Sequence, residues 1–166
     1  MNGPDPTPNK PEIIMGRAEL VKSSHSVLSP QSSVLGTGID IVETERIDDS
    51  LKRFGERFLK RVFHPDEIAY ANSMKFPALH LAARFAAKEA ISKAFGTGIG
   101  KQLGWQDMEI RRKESGEPYV VLHGKGVDLA KRRGVSQVLV SLSHCKAYSA
   151  ASAILLSTLN SQPSTP

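Results

Sequence analysis

Arg84-Phe85-Ala86-Ala87-Lys88-Glu89-Ala90-Ile91-Ser92-Lys93-Ala94-Phe95-Gly96-Thr97-Gly98 is a run of helix formers that ends in glycines. Pro77 stands ahead of it, and the pattern predicts a long helix over Ala78 to Phe95, stopped by Gly96. Glu89 and Lys93 are about one helical turn apart and share a side. Helical spacing predicts Ala83, Ala87, Ile91 and Ala94 as the core stripe. It sets Arg84, Lys88 and Ser92 toward the other side, with Glu89 and Lys93. An acid among bases beside a glycine loop suits a metal-bound phosphate. It equally suits a helical ion pair worth about 0.2–0.5 kcal/mol.

Before this helix, Val34 to Val42 is apolar and β-branched and predicts a buried strand. Alternation turns Asp40 away from Ile39 and Ile41. An acid there is either bonded to backbone amides at a strand edge or binds a cation. Magnesium takes one or two protein carboxylates and completes its shell with water and phosphate oxygens. Asp40 and Glu89 would supply that number. Helices are predicted over Glu43–Phe54, Glu56–Phe63 and from His64-Pro65 onward. After the long helix come strands Met108–Arg112 and Tyr119–His123, a basic helix Lys125–Arg133, and a hairpin of Gln137–Ser143 with Tyr148–Leu155.

Three further motifs bear on chemistry. Gly96-Thr97-Gly98-Ile99-Gly100-Lys101 looks like a phosphate loop but follows a helix, whereas nucleotide-fold glycines follow a strand. It therefore reads as a helix cap or as a place of close backbone approach to a ligand. His144 ends Ser141-Leu142-Ser143, where it can cap a turn, contact a phosphate or move a proton. Cys145 is its immediate neighbour, so the two point to opposite faces and make no catalytic pair. Cys145 reads as a small buried thiol. The bases Arg46, Lys52, Arg53, Arg57, Lys60 and Arg61 form either a solvated face or a dock for an acidic helix.

The 166 residues carry a formal charge of +5, with 40% hydrophobic and 23% charged residues. That composition predicts one ordinary globular domain with an acidic partner. Aromatic residues are 6%, too few near the bases for a nucleic-acid stacking platform. A single cysteine excludes an internal disulfide and fits a reducing compartment. No stretch is apolar enough to span a bilayer, and no secretory signal is recognisable, so a cytoplasmic, non-membrane protein is expected. The Pro- and Ser-rich residues 1–33 read as a disordered tail, with a short helix conceivable over Ile13 to Val21. Residues 34–156 form the expected domain, and 157–166 a polar C-terminal tail.

Taken together, the motifs resemble the 4'-phosphopantetheinyl transferase superfamily, in its holo-(acyl carrier protein) synthase branch. The resemblance rests on Gly38-Ile39-Asp40-Ile41-Val42-Glu43 with Arg46, the Arg84 to Gly100 run, Asp107-Met108-Glu109-Ile110, Gly116-Glu117-Pro118 and Ser141-Leu142-Ser143-His144. It implies an α+β fold, a small twisted antiparallel sheet packed on a long helix, assembled as a homotrimer with active sites between subunits. It implies transfer of 4'-phosphopantetheine from coenzyme A to a serine of apo acyl carrier protein, for fatty acid biosynthesis. By the same resemblance, Asp40 and Glu89 hold Mg²⁺, and Glu89, Lys93 and His144 are catalytic. Arg84, Lys88, Lys93, Gly96, Thr97, Gly98 and His144 would bind coenzyme A. Arg46 and Arg53 would dock the acidic carrier. Glu89 is the candidate general base, against a hydroxide carried by the metal. A broad-specificity transferase of secondary metabolism and a non-catalytic basic module are the rivals. Chains of the former kind are about twice as long and have two repeated halves, and no repeat is present here.

Overall fold

A computed structural model describes residues 31–159. The element order is β1 (Gln31–Glu43), α1 (Thr44–Phe54), α2 (Glu56–Val62), α3 (Pro65–Asn72), α4 (Pro77–Ala94), a 3₁₀ turn (Trp105–Asp107), β2 (Met108–Arg112), β3 (Pro118–Leu122), α5 (Gly124–Arg133), β4 (Gln137–His144) and β5 (Tyr148–Leu159). The fold is α+β, as expected. β1, β5 and β4 make an antiparallel sheet in that order, and β2 and β3 pair separately as an antiparallel hairpin. No helix among the described residues is long and apolar enough to cross a membrane.

β1 and β5 reach beyond their predicted ends, to Gln31 and to Leu159. Their added segments pair with each other, Ser33 opposite Ser157 and Gln31 opposite Leu159. The predicted helix over Ile13 to Val21 and nearly all of the predicted N-terminal tail lie outside the described residues.

α4 begins with Pro77 in its first turn and is capped at Phe95, after which Gly96 has φ 68°. It is buried nearly all round, which corrects the expectation of a single core stripe. One side rests on β1, β5 and β4; α1, α3 and β2 cover the others. Arg84, Lys88 and Ser92 are therefore interior residues beside Ala87 and Ile91.

The approach of α4 to β1 is very close. A Cβ on Gly38 would stand 2.0 Å from the Ala90 carbonyl oxygen, and one on Gly36 would stand 2.2 Å from that of Ala94. Both obstacles are backbone and cannot swing aside. Gly38→Ala is accordingly expected to cost about 1–3 kcal/mol through forced separation of helix and strand. Urea unfolding of the variant measures this, and an unchanged midpoint would contradict the close packing.

Strand alternation sorts the sheet's two faces. Gly38, Asp40 and Val42 face α4. Ile39 and Ile41 on the other face are 71% and 66% exposed, and Leu139 and Ile154 join them through the register Thr37–Ile154–Leu139.

Candidate active site

β1 presents Asp40 to α4, and the register of the helix brings Lys93 against it. Lys93 Nζ lies 2.7 Å from Asp40 Oδ1 and 3.2 Å from the Ile39 carbonyl oxygen. Glu89 sits one turn earlier on the same flank. Its carboxyl is pushed above the ordinary value, first by burial and then by repulsion from Asp40, while Lys93 pulls the other way. Two carboxylates in mutual repulsion, with one ammonium paired to Asp40, form a place short of positive charge. That chemistry fits a small hard dication with oxygen ligands.

The helix flank leading to β4 and α3 carries a second group. Arg84 stacks on Tyr70 with 4.2 Å from Cζ to the ring centre, and its Nη1 donates to the His80 carbonyl. Its Nε is a buried donor that meets no acceptor among the described residues. Burial pulls its pKa down. His80 meets the His144 ring edge-on at 5.5 Å, and Arg112 reaches the Tyr70 hydroxyl. These residues line a cavity of about 140 Å³ together with Gly116 and Pro118. His80, Tyr70 and Arg112 were not singled out from sequence. The one available signal was His80 standing four residues before Arg84 on the same helix.

The sequence-predicted residues thus fall into two groups. Asp40, Glu89 and Lys93 stand on one side of α4, and Arg84 and His144 on the other. β5 separates the strand of Asp40 from that of His144. Two strand spacings make the gap about 10 Å across the sheet.

Lys88 joins neither group, which corrects its assignment to the coenzyme site. Its ammonium is fully buried, 2.7 Å from Glu67 Oε2 and 2.7 Å from the Val62 carbonyl. Burial lowers its pKa against the pull of Glu67. The glycine loop also differs from a phosphate cradle. The amides of Gly96, Thr97 and Gly98 all donate back to carbonyls of Lys93 or Ser92. They cap the helix and leave a ligand only the open space beside Gly96 and Gly98. Cys145 is exposed rather than buried, because it lies in the β4–β5 turn, outside the sheet.

Residues 36–153 match the model of the 4'-phosphopantetheinyl transferase superfamily. The chain belongs to that superfamily. It is 48% identical over 129 residues to a holo-[acyl-carrier-protein] synthase of Moorella thermoacetica, covering 78% of this chain and 99% of the relative. A synthase of the same name from Koribacter versatilis is 48% identical over 122 residues, with 74% and 98% covered. Among solved structures, the Neisseria meningitidis holo-[acyl-carrier-protein] synthase superposes with a TM-score of 0.70 at 32% identity, covering 74% of this chain and 98% of that one. The Helicobacter pylori synthase, solved in complex with coenzyme A, gives 0.65 at 32% identity, covering 72% and 98%. The matched segment holds both groups of site residues, Asp40, Glu89 and Lys93 as well as Arg84 and His144.

Proposed function

We propose that this protein transfers 4'-phosphopantetheine from coenzyme A to a serine of an apo acyl carrier protein. The products are the holo carrier and adenosine 3',5'-bisphosphate, and the process served is fatty acid biosynthesis. Membership of the superfamily supports the reaction. The cluster of Asp40, Glu89 and Lys93, where β1 meets α4, carries the choice of reacting residues. Coverage of 99% of the Moorella thermoacetica relative favours the short type over the doubled broad-specificity type.

The serine oxygen forms a new bond to phosphorus, and the phosphoanhydride bond to the nucleotide breaks. Glu89 takes the serine proton. Its raised affinity for protons in a half-buried setting suits a general base. Lys93 offers charge to the phosphate oxygens on which negative charge accumulates. Asp40 and Glu89 would hold Mg²⁺, which when bound supplies charge neutralisation on the pyrophosphate. Arg84, whose Nε meets no acceptor among the described residues, and His144 would receive the nucleotide end.

One observation bears on assembly. The two groups lie on opposite flanks of α4, and the sheet's outer face carries exposed Ile39, Ile41, Leu139 and Ile154, which no described residue covers. A homotrimer would cover that face and set the Asp40 group of one subunit beside the His144 group of the next. Arg46 and Arg53 are exposed on α1 and have no acidic partner among the described residues. They suit an acidic carrier helix arriving close to Asp40.

The test is incubation with coenzyme A, Mg²⁺ and apo acyl carrier protein, followed by weighing the carrier by mass spectrometry. The expected result is a gain of one phosphopantetheine, lost with a chelator or with Asp40→Ala. A folded protein that modifies none of several carriers would overturn the reading.

A further inference from the structure

Away from both groups, three segments distant in sequence bring metal-ligating side chains together. His64 precedes α3, Glu109 lies in β2, and His123 precedes α5. One ligand atom from each lies within 4.8 Å of the other two. Glu109 is 1% exposed, and its Oε2 lies 2.9 Å from His123 Nε2. The His64 and His123 rings lie face to face with centres 4.6 Å apart.

The Glu109 and His64 side chains are also held from behind. Arg111 Nε binds the other Glu109 oxygen at 2.8 Å. His64 Nε2 lies 3.0 Å from the Gln106 carbonyl, and donation there leaves Nδ1 as the lone-pair nitrogen. Gln106 is itself fixed by its side-chain amide, which donates to the carbonyls of Lys60 and Phe63. His123 is held through its backbone amide, which donates to the Asp107 carbonyl. Metal-binding histidines and carboxylates are characteristically oriented by such outer partners.

We infer that His64, Glu109 and His123 form a site for a zinc-class divalent ion, separate from the Asp40–Glu89 pair. Two imidazoles and one carboxylate are a ligand set that zinc accepts, with a fourth position left for water. Both histidines are partly exposed, so solvent reaches that position. The ion would tie the starts of α3 and α5 to β2. Binding to the folded chain alone would stabilise it by mass action. The inference does not depend on the transferase reading.

The full chain, stripped with chelator and kept in excess Mg²⁺, is dialysed against Zn²⁺ and its metal content counted. Wild type and Asp40→Ala are each expected to hold one zinc and to melt at higher temperature with it. H64Q/H123Q is expected to bind at least ~10-fold more weakly and to lose the thermal gain. Co²⁺ in place of Zn²⁺ should give the intense visible bands of four-coordinate cobalt without a thiolate charge-transfer band. Zinc retained by H64Q/H123Q, no zinc on wild type, or a thiolate band from Cys145 would overturn the inference. Should the double variant fail to fold, the wild-type cobalt spectrum decides by the same criteria.

Discussion

Glu89→Gln is expected to lower turnover by about 10²–10⁴-fold, the usual contribution of a positioned general base. Carrier binding and the fold should survive. Glutamine keeps the shape of the side chain but removes its proton affinity and its negative charge. The stability side of this prediction follows from the raised pKa of Glu89, which burial causes first and Asp40 second. A carboxyl that holds its proton more tightly folded than unfolded makes the folded state bind more protons across that window. Stability therefore falls as pH rises through it. Above that window the ionised Glu89 of the metal-free protein costs stability, and the neutral amide does not. Metal-free Glu89→Gln should thus melt at or above the wild-type temperature, with the difference shrinking as pH is lowered. Loss of turnover together with a lower melting temperature would show that Glu89 serves the fold instead. Carrier affinity is read separately, by fluorescence anisotropy of a labelled apo carrier. Asp40→Ala is the companion. Its partner Lys93 is half exposed and returns to water, so the broken pair costs at most about 1 kcal/mol, while the carboxylate count falls to one.

The reacting cluster was legible because it obeys local periodicities. Alternation along β1 separates Asp40 from Ile39 and Ile41, and helical spacing puts Glu89 and Lys93 on one flank. That Asp40 faces α4, while both isoleucines of a strand read as buried are exposed, is set by the packing of α4. On α4 the core stripe Ala83, Ala87, Ile91 and Ala94 was legible too, but the burial of Arg84, Lys88 and Ser92 was not, because amphipathic reasoning assumes a single buried side. α4 is covered both by the sheet and by α1, α3 and β2, so Arg84 and Lys88 were drawn toward Glu89 when they point elsewhere. Which buried acid Lys88 would meet depends on contacts across 21 positions, a tertiary fact without sequence spacing. The outer ends of β1 and β5 escaped notice for a different reason. Apolar patterning reports burial, whereas Ser33 and Ser157 are joined through backbone pairing, to which serine is no obstacle. The gathering of His64, Glu109 and His123 likewise depends on the close approach of α3, β2 and α5. Cys145 is exposed because it lies in the turn after β4, where the general tendency of a free thiol to be buried has no packed surface to act on.

Lys88 offers the second large effect, and it separates a structural anchor from a phosphate ligand. Glu67 Oε2 accepts from Lys88 Nζ and from the His64 amide, and Oε1 accepts from the Ile110 amide. Lys88 also donates to the carbonyls of Val62 and, at 3.3 Å, of Trp105. The pair therefore knits α2, α3, α4 and β2 inside the core, with both side chains 0% exposed. Removing one partner strands the other charge in a medium that solvates it poorly. Glu67→Ala and Lys88→Met are each expected to cost about 3–5 kcal/mol. That is a large part of a typical total of about 5–15 kcal/mol. In a chain of this size it should lower the melting temperature by about 10 °C or more. Glu67→Gln/Lys88→Met removes both charges and keeps an oxygen acceptor for one of the two amides. It should be less destabilised than the sum of Glu67→Gln and Lys88→Met measured singly, a coupling that a double-mutant cycle in urea reads directly. If Lys88 instead served coenzyme A, Lys88→Met would weaken binding of the coenzyme and leave unfolding untouched. The anchor predicts the opposite pattern, a protein that unfolds early yet binds coenzyme A with native affinity at temperatures where it remains folded.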